Sequence, residues 1–203
     1  LKWNPISLER TQEILNSASF KWWIAGGWAL DLYVGRKTRE HGDTDIVILK
    51  QDQMKLQKLL EKDWELYIAH KGALTLWQAG EQLEPHYDNL WAKRKTEDAW
   101  SLQIMLFDHD EVNWIYKREK SIRKPWTEIG EVSSSGIPYL RPEIQLLYKG
   151  GSSVLRKNDE QDLETVLPLL DGGRVQWLYE ALSSQFPRGH EWLNKINACK
   201  QKR

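Results

Sequence analysis

The sequence predicts an α+β protein, and two observations carry that reading. Short apolar and aromatic runs of strand type alternate with helical patterns as far as residue 117, whereas from residue 141 onward the pattern is helical throughout. Between them, residues 125–136 are rich in Pro, Gly and Ser, which predicts a boundary, with one domain over residues 1–125 and a helical one over 137–200.

Composition narrows the function. A chain of 203 residues can bury a sizeable core, and its 29 basic and 29 acidic residues balance. That neutrality speaks against sequence-independent nucleic-acid binding, which needs a basic field. One cysteine, Cys199, allows no internal disulfide and points to a reducing compartment. No apolar run approaches the roughly 20 residues of a membrane span, and no secretory h-region opens the chain. The expectation is a soluble cytoplasmic protein with no membrane partner. Twelve tryptophans suit cores and ligand-site walls alike.

In chain order, Ser7 is placed to cap a helix over residues 8–17. Residues 21–25 form a short aromatic and β-branched strand stopped by Gly26-Gly27, and a helix follows over 28–34, ended by Gly35. Residues 36–42 are a basic loop. Residues 43–49 alternate at their start, which puts Asp43, Asp45 and Val47 on one strand face. Lys50-Gln51-Asp52 ends the strand and caps a helix to about residue 62, and strands over 64–69 and 73–79, joined near Lys71-Gly72, come next. Residues 80–98 read as a long loop with a strand around Leu90-Trp91, and Lys93-Arg94-Lys95 as solvated loop. A strand over 100–107 turns through Asp108-His109-Asp110-Glu111 into a partner over 112–117, and 118–124 is basic loop. Pro142 opens a helix to 149, and helices over 159–170, 174–184 and 190–199 complete the chain.

The chemistry concentrates in residues 22–49. Asp43 and Asp45 on one strand face lie roughly 6.5 Å apart by the strand rise. At an effective dielectric of 20 they repel by about 2–3 kcal/mol, which a divalent cation offsets. Taken alone, such a pair also reads as a solvated strand end. The Gly26-Gly27 turn opens into a helix whose first N–H groups and dipole suit a phosphate, although packing alone produces such turns too. Arg36, Lys37 and Arg39 lie between the two features and suit a triphosphate, or simply solvent. Glycines, basic loop and aspartates in this order are more specific than any one of them.

Gly-Gly-Trp-Ala-Leu-Asp followed by Arg-x-x-x-Glu-His-x-Asp-x-Asp-Ile (Gly26 to Asp31, then Arg36 to Ile46) resembles the nucleotidyltransferases of the DNA polymerase β-like superfamily. Within it, the chain is most similar to the aminoglycoside 2″-adenylyltransferases and the lincosamide nucleotidyltransferases. The resemblance implies a mixed β-sheet nucleotidyltransferase domain with helices on one face, followed by a helical region. It also implies that Gly26 and Gly27 meet a nucleoside triphosphate and that Asp43 and Asp45 hold catalytic Mg²⁺. Arg39 then matches a phosphate contact, and His41 either supports the loop or touches the site. The likeness extends to Ile-Pro-Tyr-Leu-Arg-Pro-Glu-Ile-Gln-Leu-Leu-Tyr-Lys at 137–149 and the acidic helix start at 159–162. It makes Lys149 a candidate for the nucleotide phosphates, against a solvated helix end.

One departure bears on catalysis. The family supplies a third carboxylate from a neighbouring strand, and the matching strand here, Leu102-Gln103-Ile104, offers Gln103. An amide ligates or orients but takes no proton at neutral pH. Turnover is then weak, recruits Asp88, Glu84 or Asp108 from loops, or is absent. Asp108-His109-Asp110-Glu111 reads as a hairpin turn rather than a metal site, and His70 and His86 are isolated. Trp77, Trp91, Trp100 and Trp114 divide between core and a cation-accepting wall.

These readings converge on Mg²⁺-dependent transfer of AMP from ATP, or of another nucleoside monophosphate, to a hydroxyl of a small, antibiotic-like acceptor. The alternative is a fold of this type that binds nucleotide or a protein partner without turnover. A third reading keeps the chemistry and changes the acceptor to a protein hydroxyl or a tRNA end, the latter opposed by the neutral charge.

Overall fold

The computed structural model describes residues 2–152 and 154–201. Ser7 Oγ accepts the Arg10 N–H (3.2 Å) and so starts α1 (Leu8–Leu15). Strand β1 (Trp22–Ile24) leads into α2 (Gly26–Val34), which contains both glycines and so begins two residues earlier than the sequence suggests. Gly35 ends it at φ +80°. Strand β2 (Asp45–Leu49) is followed by a 3₁₀ turn, α3 (Gln53–Leu60) and the hairpin β3 (Trp64–His70) and β4 (Ala73–Leu76). Lys71 (φ +49°) and Gly72 (φ +79°) form its two-residue turn, the paired positive φ values of a type I′ connection.

Next come β5 (Asn89–Arg94), β6 (Leu102–Phe107), β7 (Asn113–Ile115), β8 (Arg123–Pro125), β9 (Gly130–Val132) and β10 (Pro138–Leu140). The chain closes with α4 (Pro142–Gly150), α5 (Lys157–Val166), α6 (Gly172–Gln185) and α7 (Glu191–Gln201). Asp171 caps α6 by accepting the Arg174 N–H at 2.9 Å.

Eight strands form one mixed sheet in the order β4-β3-β5-β6-β2-β1-β10-β9. The run Ile46-Val47-Ile48-Leu49 lies in its interior, parallel to β6 and antiparallel to β1, with each of the four side chains at most 1% exposed. A continuous apolar run without alternation is what a strand buried on both faces requires. Helix α2 packs on β2, β10, α4 and α5, which ties the glycine turn to the helical part of the chain. Buried apolar residues from the sheet and from α4, α5, α6 and α7 form one cluster, including Ile24, Ile46, Ile144, Leu178 and Trp192.

Several local expectations change. Residues 125–136 carry a 3₁₀ turn and β9, which pairs with β10, and β10 pairs with β1, so this segment adds a strand to the sheet instead of ending it. The strand after the Asp108–Glu111 turn pairs with β8 in a separate two-stranded sheet, not with β6. Asp110 Oδ1 makes that turn by accepting the N–H groups of Val112 (2.9 Å) and Asn113 (2.7 Å). Lys93 and Arg94 belong to β5, where Lys93 meets Glu65 (3.3 Å) and the Arg94 guanidinium lies over the Trp64 ring (5.0 Å). Among the described residues no helix is long and apolar enough to cross a membrane.

Candidate active site

Asp45 opens β2, while Asp43 precedes the strand and is exposed. Asp45 Oδ1 is enclosed and receives no hydrogen bond. Its other oxygen lies against Gly26, where an added β-carbon would fall 2.2 Å from Asp45 Oδ2. With φ +66°, Gly26 adopts a conformation that side-chain-bearing residues resist, so backbone and packing make the same demand. The Gly26 N–H donates to Gln145 Oε1 on α4 at 2.8 Å.

Burial pushes the Asp45 carboxyl up to about 7. The charge of Asp43 adds to that shift, and the positive charges of Lys149 and Arg156 oppose it. A carboxylate with an enclosed, unpaired oxygen beside a second carboxylate is short of positive charge, and oxygen donors of this kind suit a hard cation. Gln103 stands in register with Asp45 across the parallel β2–β6 pair, and Trp91 lies in register on Gln103's other side. Among the described residues no three His, Cys, Asp or Glu side chains gather as a metal-binding group.

The basic loop is held rather than free. Arg39 forms a two-pronged pair with Asp162 of α5, Nε to Oδ1 at 2.8 Å and Nη2 to Oδ2 at 2.9 Å. Lys149, 6% exposed, reaches the same Asp162 at 2.8 Å and Asp159 at 3.4 Å. Burial alone would raise the Asp162 carboxyl, but its hydrogen bond from Arg39 and the charge of Lys149 outweigh this and hold it below the usual range. His41 Nε2 lies 2.6 Å from Asp31 Oδ2, and the Thr38 N–H donates to Asp31 Oδ1 at 3.1 Å. The His41 ring also rests 4.4 Å from the Trp28 ring. An added β-carbon on Gly27 would lie 2.3 Å from His41 Cε1 and 2.6 Å from Arg39 Nη2, so the loop folds back over the glycine turn.

Four residues central to this geometry had no role in the sequence reading, although three of them lay in its matched segments: Asp31, Gln145, Asp162 and Arg156. Arg156 donates from Nε (2.9 Å) and Nη2 (3.0 Å) to Asp159, yet its side chain stays 72% exposed. The hydrogen bond to Asp159 holds the Arg156 guanidinium above its ordinary range, with Asp43 and Asp162 adding smaller charge effects. Asp162 lay within the acidic helix start that the sequence singled out, and Gln145 within the segment beginning at Ile137; nothing local marked either as a partner of the glycine loop.

The loop carboxylates named as substitutes for a third acid are each engaged: Asp88 with Lys117, Asp108 with Lys50 at 2.7 Å, and Glu84 with His86 at 3.3 Å. Trp77, Trp100 and Trp114 are core residues, and Trp91 is half-buried between Trp3 (5.0 Å) and Trp100 (5.5 Å).

The chain is similar to the lincomycin-bound lincosamide antibiotic adenylyltransferase LnuA, at 19% identity over 80% of this chain and 98% of that one, with a TM-score of 0.55. It is similar to an antigenic nucleotidyltransferase-like protein from Paracoccidioides brasiliensis, at 16% identity over 96% and 90% of the two chains, with a TM-score of 0.51. A third likeness, to ANT(2″)-Ia in complex with adenylyl-2″-tobramycin, has 16% identity over 97% of each chain and a TM-score of 0.46. No curated protein sequence matches. The first two likenesses establish a nucleotidyltransferase fold. The model of the aminoglycoside-2″-adenylyltransferase family matches residues 7–166, the whole sheet and the first two helices after it, and the chain belongs to that family of nucleotidyltransferase enzymes.

Proposed function

We propose that the protein transfers AMP from ATP to a hydroxyl of a small, antibiotic-like acceptor and releases pyrophosphate. The observation that supports this most directly is Asp45 Oδ1, enclosed without a donor beside the carboxylate of Asp43. Two carboxylates with no competing thiol or imidazole fit Mg²⁺, which takes one or two such ligands and completes its shell with water and phosphate oxygens. Asp43 and Asp45 would hold it, and bound there it would supply charge neutralisation to the reacting triphosphate.

The chain's own residues do the rest by position. Gly26 and Gly27 bring the first turn of α2 to the triphosphate side, and Gln145 fixes that turn through the Gly26 N–H. Arg39 and Lys149, anchored on Asp162, contribute positive field from behind, and Arg156 offers the exposed cation. The acceptor oxygen attacks the α-phosphorus as its bond to the pyrophosphate oxygen breaks. The side-chain amide of Gln103 orients the attacking hydroxyl without taking its proton, which passes to solvent.

Gln103 is also the observation behind a second reading, a protein of this fold that binds nucleotide with little turnover. Pyrophosphate release with ATP, Mg²⁺ and an acceptor panel separates them. The transfer reading requires release that Asp43→Asn and Asp45→Asn abolish in folded protein; nucleotide-dependent stabilisation with no release favours the second. Under the second reading, Gln103→Asp restores metal affinity and release together.

A further inference from the structure

A cavity of about 190 Å³ opens on the Gln103 side of the Asp43–Asp45 pair. Gln103 and Asn89 line it beneath the stacked rings of Phe107 and Tyr148, whose centroids are 4.9 Å apart. Asn89 Oδ1 is enclosed there with no hydrogen-bond partner. Its position beside Gln103 makes the cavity the place where an acceptor hydroxyl would meet the nucleotide, and assigning an acceptor to it rests on the transfer reading.

The charges around this cavity are accounted for pair by pair. Asp88 is engaged by Lys117, and Asp108 by Lys50. Arg118 remains. Its Nη1 donates to the Tyr148 carbonyl (2.8 Å) and the Tyr116 hydroxyl (3.1 Å), and its guanidinium lies 5.9 Å from both ring centroids. These partners are neutral, and among the described residues no carboxylate pairs with Arg118. Among the described residues, Arg118 is therefore the one charged side chain lining the cavity that no opposite charge engages, because Asp108 is held by Lys50 from outside the lining. A polycationic acceptor would find no unengaged carboxylate in it and would face the guanidinium, whereas an anionic group gains a charge-assisted, planar partner. Asp43 and Asp45, on the far side of Gln103, are assigned to Mg²⁺ under the transfer reading.

We infer that the acceptor is a hydroxyl compound bearing an anionic group, and that Arg118 selects it. The inference runs against what the family description alone would suggest, a polycationic aminoglycoside.

The test uses a charge-graded set of polyols, namely gluconate, glucose, glucosamine and tobramycin. Pyrophosphate release is measured with ATP and Mg²⁺, and thermal shift with the same compounds in the presence of an α,β-methylene ATP analogue and Mg²⁺. The expected result is a preference for gluconate over glucosamine and tobramycin of at least ten-fold, in kcat/KM or, without turnover, in binding. Arg118→Gln should remove that preference with KM for ATP unchanged, and Arg118→Lys should restore part of it. A preference for tobramycin, absence of any gluconate effect, or indifference to Arg118→Gln overturns the inference. The shift with the ATP analogue and Mg²⁺ alone reports separately on the transfer reading. If that shift is present while the charge preference is absent, only the acceptor assignment fails; if the shift itself is absent, the underlying reading fails with it.

Discussion

Gly26 and Asp45 approach so closely that a β-carbon added at position 26 would sit 2.2 Å from Asp45 Oδ2. The glycine thus positions a carboxylate as much as it shapes a turn. Gly26→Ala should lose about 1–2 kcal/mol through its left-handed backbone and must also displace Asp45. Gly35 supplies the control, because it too has positive φ (+80°) but nothing lies within 4 Å of its added β-carbon. Both variants should melt earlier than the parent protein. Only Gly26→Ala should also lose the Mg²⁺-dependent thermal shift with ATP, and equal behaviour of the two would show that the contact with Asp45 is incidental.

Asp45 itself is held at a cost. Its enclosed oxygen has no donor, and the charge of Asp43 stands close by. Removing that charge with Asp45→Asn should stabilise the metal-free protein by roughly 1 kcal/mol or more, or about 2–4 °C in melting temperature for a domain of this size. The same variant should show no further gain on adding Mg²⁺ and ATP. Parallel melts with and without Mg²⁺ check both halves, and a destabilised Asp45→Asn would mean that the carboxylate is satisfied in solution.

The part of the site that was legible in the sequence is the part that is short-range along the chain. Gly26, Gly27, Asp43 and Asp45 lie within one strand-helix-strand unit, so their order alone suggested a shared site. The family resemblance, through the matching strand Leu102-Gln103-Ile104, implied Gln103 beside the aspartates, and the β2–β6 register sets it opposite Asp45. Gln145 is 119 residues from Gly26 and Asp162 is 123 from Arg39, and no local pattern encodes such pairings. The residues around Leu90 looked irregular because β5 mixes Asn, Lys and Arg into a strand, and β9 is three residues long with a glycine at its start. In both, pairing with neighbouring strands overrides weak intrinsic preference.

The link between Arg39 and Asp162 makes an acid-sensitive joint. Asp162 is buried, and its carboxyl lies below the usual 3.8 because Arg39 and Lys149 outweigh the cost of burial. A carboxyl lowered in the folded state contributes stability that is present above its unfolded value and lost as pH falls through the folded one. Stability should therefore decline below about pH 4. Asp162→Asn should cost about 3–5 kcal/mol at pH 7, because it leaves Arg39 and Lys149 without their shared counter-charge. Its denaturant-derived stability should also vary less between pH 5 and 3 than that of the parent protein. A neutral effect at pH 7 would show that the two cations find other partners.

Arg156 is the cation beside the site whose side chain stays open to solvent. Arg39 and Lys149 both commit hydrogen bonds to Asp162, whereas the Arg156 side chain is 72% exposed and has Asp43 among the charges acting on it. Asp159 grips its Nε and Nη2, which fixes the guanidinium plane while leaving its remaining face toward solvent. A cation held in this way suits a triphosphate oxygen, and one charge-assisted contact of that kind is worth roughly ten-fold in affinity, about 1.4 kcal/mol. Arg156→Gln should raise KM for ATP by about that factor, with a smaller change in kcat, and Arg156→Lys should recover part of it. Stability should fall by only about 1 kcal/mol or less, since the pair with Asp159 is solvent-facing on the arginine side and Lys149 remains beside the carboxylate. If KM for ATP stays constant while the melting temperature drops by several degrees, Arg156 serves Asp159 and the start of α5, and the triphosphate is held by other residues.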